Sequence, residues 1–162
     1  MNHLLLIKRC KNWNNYKKEM KLLSEKEKGD SFEELTKIYV KTNPLYKKII
    51  KNIWSTNRDI IPNYVIKKTN IPLTDEGVDF IAETFEGKFW TIQSTYDDNQ
   101  ERILSKTKLG NFCDITFRIC QNIEFALTFT SNYGYSYKFD KLKDISKSNA
   151  SKIGFVTGDR FD

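Results

Sequence analysis

The stretch Asp75-Glu76-Gly77-Val78-Asp79-Phe80-Ile81-Ala82-Glu83, followed by Phe89-Trp90-Thr91-Ile92-Gln93-Ser94-Thr95-Tyr96, decides the fold. Extended to 78–85 and 88–95, its halves are rich in β-branched and aromatic residues and are joined by Glu86-Gly87. That pattern around a glycine turn predicts a β-hairpin. Asp79 then falls early in an apolar strand, where a carboxylate is costly unless it is paired or holds a metal. Gln93 and Thr95 are two apart on the second strand and share a face. A hairpin can bring that face beside Asp79, and a carboxylate with an amide oxygen can hold a hard cation such as Mg²⁺, completed by waters and a phosphate. Two plainer readings stand beside this one. Asp after Gly is a common turn-capping residue, and a strand Gln can satisfy a sheet edge.

N-terminal to the hairpin the chain reads as helical. Residues 10–28 carry Trp13, Tyr16, Met20 and Leu23 at helical spacing, which predicts an exposed, basic, amphipathic helix closed by Gly29. A second helix opens at Asp30-Ser31, where Ser31 with Glu34, or Asp30 with Glu33, fits a capping box. Its apolar stripe is Phe32, Leu35, Ile38 and Tyr39, interrupted at Thr42-Asn43-Pro44. Helix resumes over about 45–54, and residues 55–76, with Pro62 and Pro72, read as a long loop or a short edge strand.

Beyond the hairpin, the pattern predicts a helix near 101–112, a strand at Ile123–Thr130, a helix near Tyr137–Leu142 and a last strand at Ile153–Val156. A hairpin followed by helix–strand crossovers implies an α/β domain with a central mixed sheet of about four strands, flanked by helices. The division expected is a basic helical segment over 1–28 and one domain over 29–162.

Charge is unevenly placed. The net charge is +6, yet residues 1–52 hold 13 Lys/Arg against 6 Asp/Glu, a balance of +7, and residues 53–162 hold 14 against 15, a balance of −1. A basic surface beside a neutral body suits a polyanion such as nucleic acid, and it is also what a solvated lysine-rich face looks like. The three cysteines, Cys10, Cys113 and Cys120, have no disulfide or zinc spacing, which predicts buried reduced thiols and a cytoplasmic setting. With His3 as the single histidine, histidine triads and His-ligated metals are excluded. No apolar run is long enough for a membrane span.

The ordered pieces resemble the Mrr-type branch of the PD-(D/E)XK nuclease superfamily, and most of all the N-terminal nuclease domains of type ISP-like, helicase-linked restriction enzymes. Phe32-Glu33 matches the helix start of that group, Asn43-Pro44 its Asx-Pro step, and Gly77-Val78-Asp79 its Gly-hydrophobic-Asp strand. Gln93-Ser94-Thr95-Tyr96 matches its Gln-x-Lys-aromatic strand end, across roughly residues 28–130 in all. The resemblance implies a restriction-endonuclease-like fold and Mg²⁺- or Mn²⁺-dependent hydrolysis of double-stranded DNA. Asp79 would be the principal metal ligand, Gln93 the second, and Glu33 an assistant to the metal or the attacking water. Lys47, Lys48 and Lys51 would contact the DNA backbone. A homodimer, or pairing with helicase and methyltransferase domains absent from these residues, would complete the enzyme.

The departure is Thr95, which stands where the family has lysine. Losing one preorganised charge contact costs about 3–4 kcal/mol, or roughly 10²–10³ in rate. Lys106, Lys108 or, less favourably placed, Lys88 could replace it. The alternatives are a catalytically inactive DNA-binding module that keeps the fold, or a small protein-binding domain. The cluster Tyr133, Tyr135 and Tyr137 reads either as base-stacking or as a packed turn.

Overall fold

The computed structural model describes residues 2–73, 77–102, 104, 106–134 and 153–161, with Lys106 described in its backbone alone. Five strands form one sheet in the order β1-β2-β3-β4-β5: β1 Ile50–Ser55, β2 Phe80–Thr84, β3 Phe89–Thr95, β4 Ile123–Thr130 and β5 Ile153–Val156. The β1/β2 and β2/β3 pairs are antiparallel, and β3/β4 and β4/β5 are parallel. The sheet is therefore mixed, and the central strand is β3.

Both faces are covered, so the middle strands are apolar on both sides. Phe80, Ala82, Trp90, Ile92, Leu127 and Phe129 pack on one face with Phe32 and Val40, which belong to helix α3 (Glu25–Thr42). Ile81, Phe89 and Ala126 pack on the other with Val65, Phe112 and Ile115. Val65 comes from α5 (Asn63–Thr69), Phe112 from α6 (Lys106–Asp114), and Ile115 from the π-helical turn Ile115–Ile119 that continues α6. Each fully buried Phe, such as Phe32 or Phe112, contributes about 1.5–3 kcal/mol.

The N-terminal reading needs correction. There is no single helix over 10–28; α1 (His3–Arg9) and α2 (Trp13–Met20) are separate, capped by Asn2 and Asn12. Their apolar residues Leu6, Trp13, Tyr16 and Met20 are buried in the same cluster as Phe32. Gly29 does not close a helix. It lies inside α3, which starts five residues earlier than expected because Ser24 and Glu27 form the capping box. Nothing lies within 4 Å of a Cβ added at half-buried Gly29, and a glycine inside a helix costs only about 1 kcal/mol relative to Ala. The position between residues 28 and 29 is thus mid-helix.

The segment 45–54 divides. Asn43 caps α4 (Pro44–Ile49), with Oδ1 accepting from Leu45 N at 3.0 Å, and Pro44 takes the first helical position. Ile50–Ser55 is then a strand, not helix, and supplies the fifth strand of the sheet. Its apolar residues Ile50 and Ile53 are spaced for helix, but pairing with β2 satisfies the backbone and decides the outcome. The expected loop contains α5. The hairpin and the strands at 123–130 and 153–156 are observed as read. The helix expected at Tyr137–Leu142 lies outside the described residues. No described helix is long and apolar enough to cross a membrane.

All three cysteines are free, and burial pushes the Cys113 and Cys120 thiols up to about 11, which keeps them protonated.

Candidate active site

Gly77 aims the chain into the site. Its φ of +107° suits glycine, and an added Cβ would stand 3.3 Å from Ile115 Cδ1. Asp79 follows at the mouth of β2. Its N–H donates to Ile92 O at 3.0 Å, and its carbonyl accepts from Thr56 N at 3.0 Å. Its carboxylate Oδ2 accepts from Ser94 N at 2.7 Å. The carboxylate is therefore fixed by the backbone of β3, where a turn-capping Asp would serve its own loop.

Glu33 reaches Asp79 from α3. The two side chains are hydrogen-bonded, and Glu33 is pushed up to about 8, first by burial, then by the charge of Asp79. Arg58, on the turn after β1, opposes that shift. Its Nη2 lies 2.6 Å from Asp30 Oδ1 and 3.1 Å from Glu33 Oε2. Two carboxylates in contact favour either a shared proton or a bound cation. Beside them Lys37 Nζ and Asp59 Oδ2 form an ion pair at 2.8 Å, and Asp59 Oδ2 also accepts from Ser55 N at 2.7 Å.

Gln93 lies across from Asp79, one step beyond the pair Phe80 and Ile92. Its amide turns to α6, where Nε2 donates to Lys108 O at 3.3 Å. That bond fixes the amide orientation, because a carbonyl can only accept. Oε1 is then buried with no protein partner. Its neighbour across β3/β4, Thr128, has a buried hydroxyl in the same condition. A buried unsatisfied acceptor costs about 1–3 kcal/mol. Carboxylate and amide oxygens are the ligand types of a hard cation, and Asp79, Glu33 and Gln93 supply them from β2, α3 and β3. Among the described residues, no group of three or more His, Cys, Asp or Glu side chains is arranged to hold a metal. Mg²⁺ does not need such a cage, since it commonly takes one or two carboxylates plus waters and a phosphate.

The remaining sequence-derived residues scatter. Thr95 ends β3, pairs with Thr130 on β4, and is half-buried. Lys108 is exposed on α6, and its carbonyl rather than its ammonium meets Gln93. The Lys106 side chain lies outside the described residues. Lys88 stands at the far end of β3, five strand residues or about 17 Å from Gln93, and so cannot replace a lysine at 95. It lines a cleft of about 530 Å³ with Lys68, Asn122 and Glu124. Among the residues lining that cleft, one is a carboxylate, Glu124, which accepts from Trp90 Nε1 at 3.2 Å. Lys47, Lys48 and Lys51 are exposed and lie toward the cleft end, since Ile50 pairs with Thr84 whereas Ser55 pairs with Phe80. Tyr133 is exposed, and Tyr135 and Tyr137 are outside the described residues.

Arg58 and Asp30 were not singled out as site residues by their chemistry in the sequence. The signal for Arg58 was its place after a strand, and that strand reads as helix until its pairing with β2 is known.

The sheet order, the helices on both faces and the carboxylate at the mouth of β2 define a restriction-endonuclease-like α/β fold. A solved structure similar to it is the "ATP-dependent Type ISP restriction-modification enzyme LlaBIII bound to DNA", with a TM-score of 0.61 and 17% identity over 91% of this chain. The chain spans 8% of the length of that enzyme's chain. The likeness bears on the restriction-enzyme fold and not on the Mrr-type branch. No family model matches the chain, and no curated protein matches it.

Proposed function

We propose that this chain is a DNA-binding domain of a restriction system, whose site hydrolyses phosphodiesters of double-stranded DNA with Mg²⁺ or Mn²⁺. The observation that carries this reading is the contact between Glu33 on α3 and Asp79 at the mouth of β2, with Glu33 raised to about 8 first by burial and then by the charge of Asp79. Asp79 is held in place by Ser94 N of β3. When bound, the cation would polarise the phosphate and lower the pKa of an attacking water. Asp79, held by Ser94 N, would be the first ligand. Gln93 Oε1, the buried acceptor on the α6 side, would be the further ligand. Glu33, once ionised, takes a proton from the attacking water, and its raised pKa suits a base near neutral pH.

The basic residues give the duplex a direction. Lys47 and Lys48 lie on α4, and Lys51 on β1 stands about five strand residues from Asp79, or roughly 17 Å. At 3.4 Å per nucleotide along one strand, that is about five nucleotides. Such lysines neutralise phosphates without reading bases, so binding is expected to be weak and nonspecific. The type ISP enzyme similar in fold is described as bound to DNA. By that analogy the partner proposed for this chain is DNA.

A second reading, a catalytically silent DNA-binding module, is favoured by one observation: Thr95 places no charge where the family has lysine. Nicking of supercoiled plasmid with Mg²⁺ and then Mn²⁺ separates the two. Cleavage that disappears in Asp79→Ala supports the nuclease. Cleavage absent from the parent but present in Thr95→Lys marks a scaffold that has lost only its charge. Cleavage absent from both sinks the nuclease reading.

A further inference from the structure

We propose that Arg58 is the phosphate-contacting cation of this site, supplying the charge that position 95 does not. The inference deepens the nuclease reading and rests on it. Arg58 Nη2 bridges Asp30 Oδ1 at 2.6 Å and Glu33 Oε2 at 3.1 Å, and Glu33 is hydrogen-bonded to Asp79. One carboxylate thus separates the guanidinium from the principal candidate metal ligand. The Arg58 side chain is 38% exposed while that of Glu33 is 14% exposed, so the guanidinium is open to an arriving duplex and Glu33 is the more enclosed of the two.

The geometry agrees with this division of labour. Asp30 anchors Arg58 independently of Glu33, so the guanidinium would keep one partner if Glu33 and Asp79 held a cation. Both recorded ion pairs use Nη2, whereas a guanidinium carries five N–H donors in a planar fork that matches two phosphate oxygens. Lys37, the other cation nearby, is engaged by Asp59 at 2.8 Å. Asp59 also accepts from Ser55 N at 2.7 Å, which secures the turn that carries Arg58.

The test uses Arg58→Ala and Arg58→Lys in the whole chain, with circular dichroism confirming that each is folded. Binding of a fluorescent DNA duplex is measured in Ca²⁺, which fills the site without supporting rapid hydrolysis, across a salt series. Mg²⁺ binding is measured by calorimetry without DNA, and plasmid nicking is measured in Mg²⁺ and Mn²⁺. For Arg58→Ala we expect about tenfold weaker duplex binding and a log K against log salt slope smaller by about one. Mg²⁺ binding should be equal or tighter, since a competing positive charge is gone. Any nicking should fall roughly 10²–10³-fold, with Arg58→Lys recovering part of each loss. Unchanged duplex affinity and salt slope in folded Arg58→Ala overturn the proposal. So does a loss of Mg²⁺ binding, which would make Arg58 a support for Glu33 alone. If Arg58→Ala does not fold, Arg58→Gln takes its place under the same criteria. A parent that neither binds Mg²⁺ nor cleaves defeats the nuclease reading separately, and the Arg58 contact is still judged by the salt slope.

Discussion

The hydroxyl of Thr36 on α3 lies 3.0 Å from that of Ser94 on β3. Thr36 is one turn beyond Phe32, whose carbonyl also accepts from Thr36 Oγ1 at 2.9 Å, and the N–H of Ser94 holds the Asp79 carboxylate. This bond therefore links the helix bearing Glu33 to the strand that positions Asp79, beside the packing of Phe32 and Val40 on the same face. Thr36→Val keeps the shape and removes the hydroxyl. We expect a loss of about 1–2 kcal/mol in urea unfolding, accompanied by weaker Mg²⁺ binding. A stability loss with unaltered Mg²⁺ affinity would show that the bond steadies the fold and not the site.

Glu33 makes the fold sensitive to pH in a definite direction. Its carboxyl is raised from 4.5 to about 8 in the folded chain, first by burial and then by Asp79. Folding therefore favours the protonated form. That stability is fully present below the unfolded value and is lost as pH climbs through 4.5 toward 8. Without metal, we expect stability to fall by on the order of 3 kcal/mol between pH 5 and 8. Glu33→Gln should flatten the profile, and Mg²⁺ should restore stability at pH 8. A metal-free parent profile that is level across this range would contradict the buried pair.

Gln93 separates a structural amide from a ligand. Its Oε1 is buried without a protein partner while Nε2 holds Lys108 O. Gln93→Leu gives up one hydrogen bond of about 1 kcal/mol and removes an orphaned acceptor costing about 1–3 kcal/mol. Thermal unfolding should show equal or slightly raised stability, with Mg²⁺ affinity down several-fold. Marked destabilisation would mean that Oε1 is satisfied by water within the fold and that the amide is structural.

The exposed lysines near the start of β1 should act on DNA without touching metal. Replacing Lys47, Lys48 and Lys51 together by Ala should lower duplex affinity, with the salt slope falling by about 0.9 for each lysine that meets a phosphate. Mg²⁺ binding should not move. If the salt slope is unchanged, the duplex lies elsewhere on the surface.

The hairpin was legible because its two runs carry strand residues on both sides of Glu86-Gly87, and because Gly77-Val78-Asp79 marks its entrance. The resemblance singled out Glu33 and Asp79 separately, and their contact across α3 and β2 appears only in the fold. The misreadings have local causes. Ile50 and Ile53 have helical spacing, and only pairing with β2 makes them strand. Gly29 looks like a stop because glycine commonly ends helices, but the cap at Ser24 overrides it. Arg58 could not be placed until β1 was known to be a strand, since the turn after that strand carries it to α3.

The sheet order has a kinetic consequence. β1, β2 and β3 neighbour one another in sequence order and pair antiparallel, with a tight turn between β2 and β3. β4 and β5 join only through parallel crossovers, which must close longer loops before any pairing is gained. Asp30, Glu33, Arg58, Asp79 and Gln93 all belong to α3 or to the β1–β3 portion of the chain. In a refolding experiment the acidic cluster should therefore gather with the first hairpins, as part of the nucleus around which the parallel half condenses.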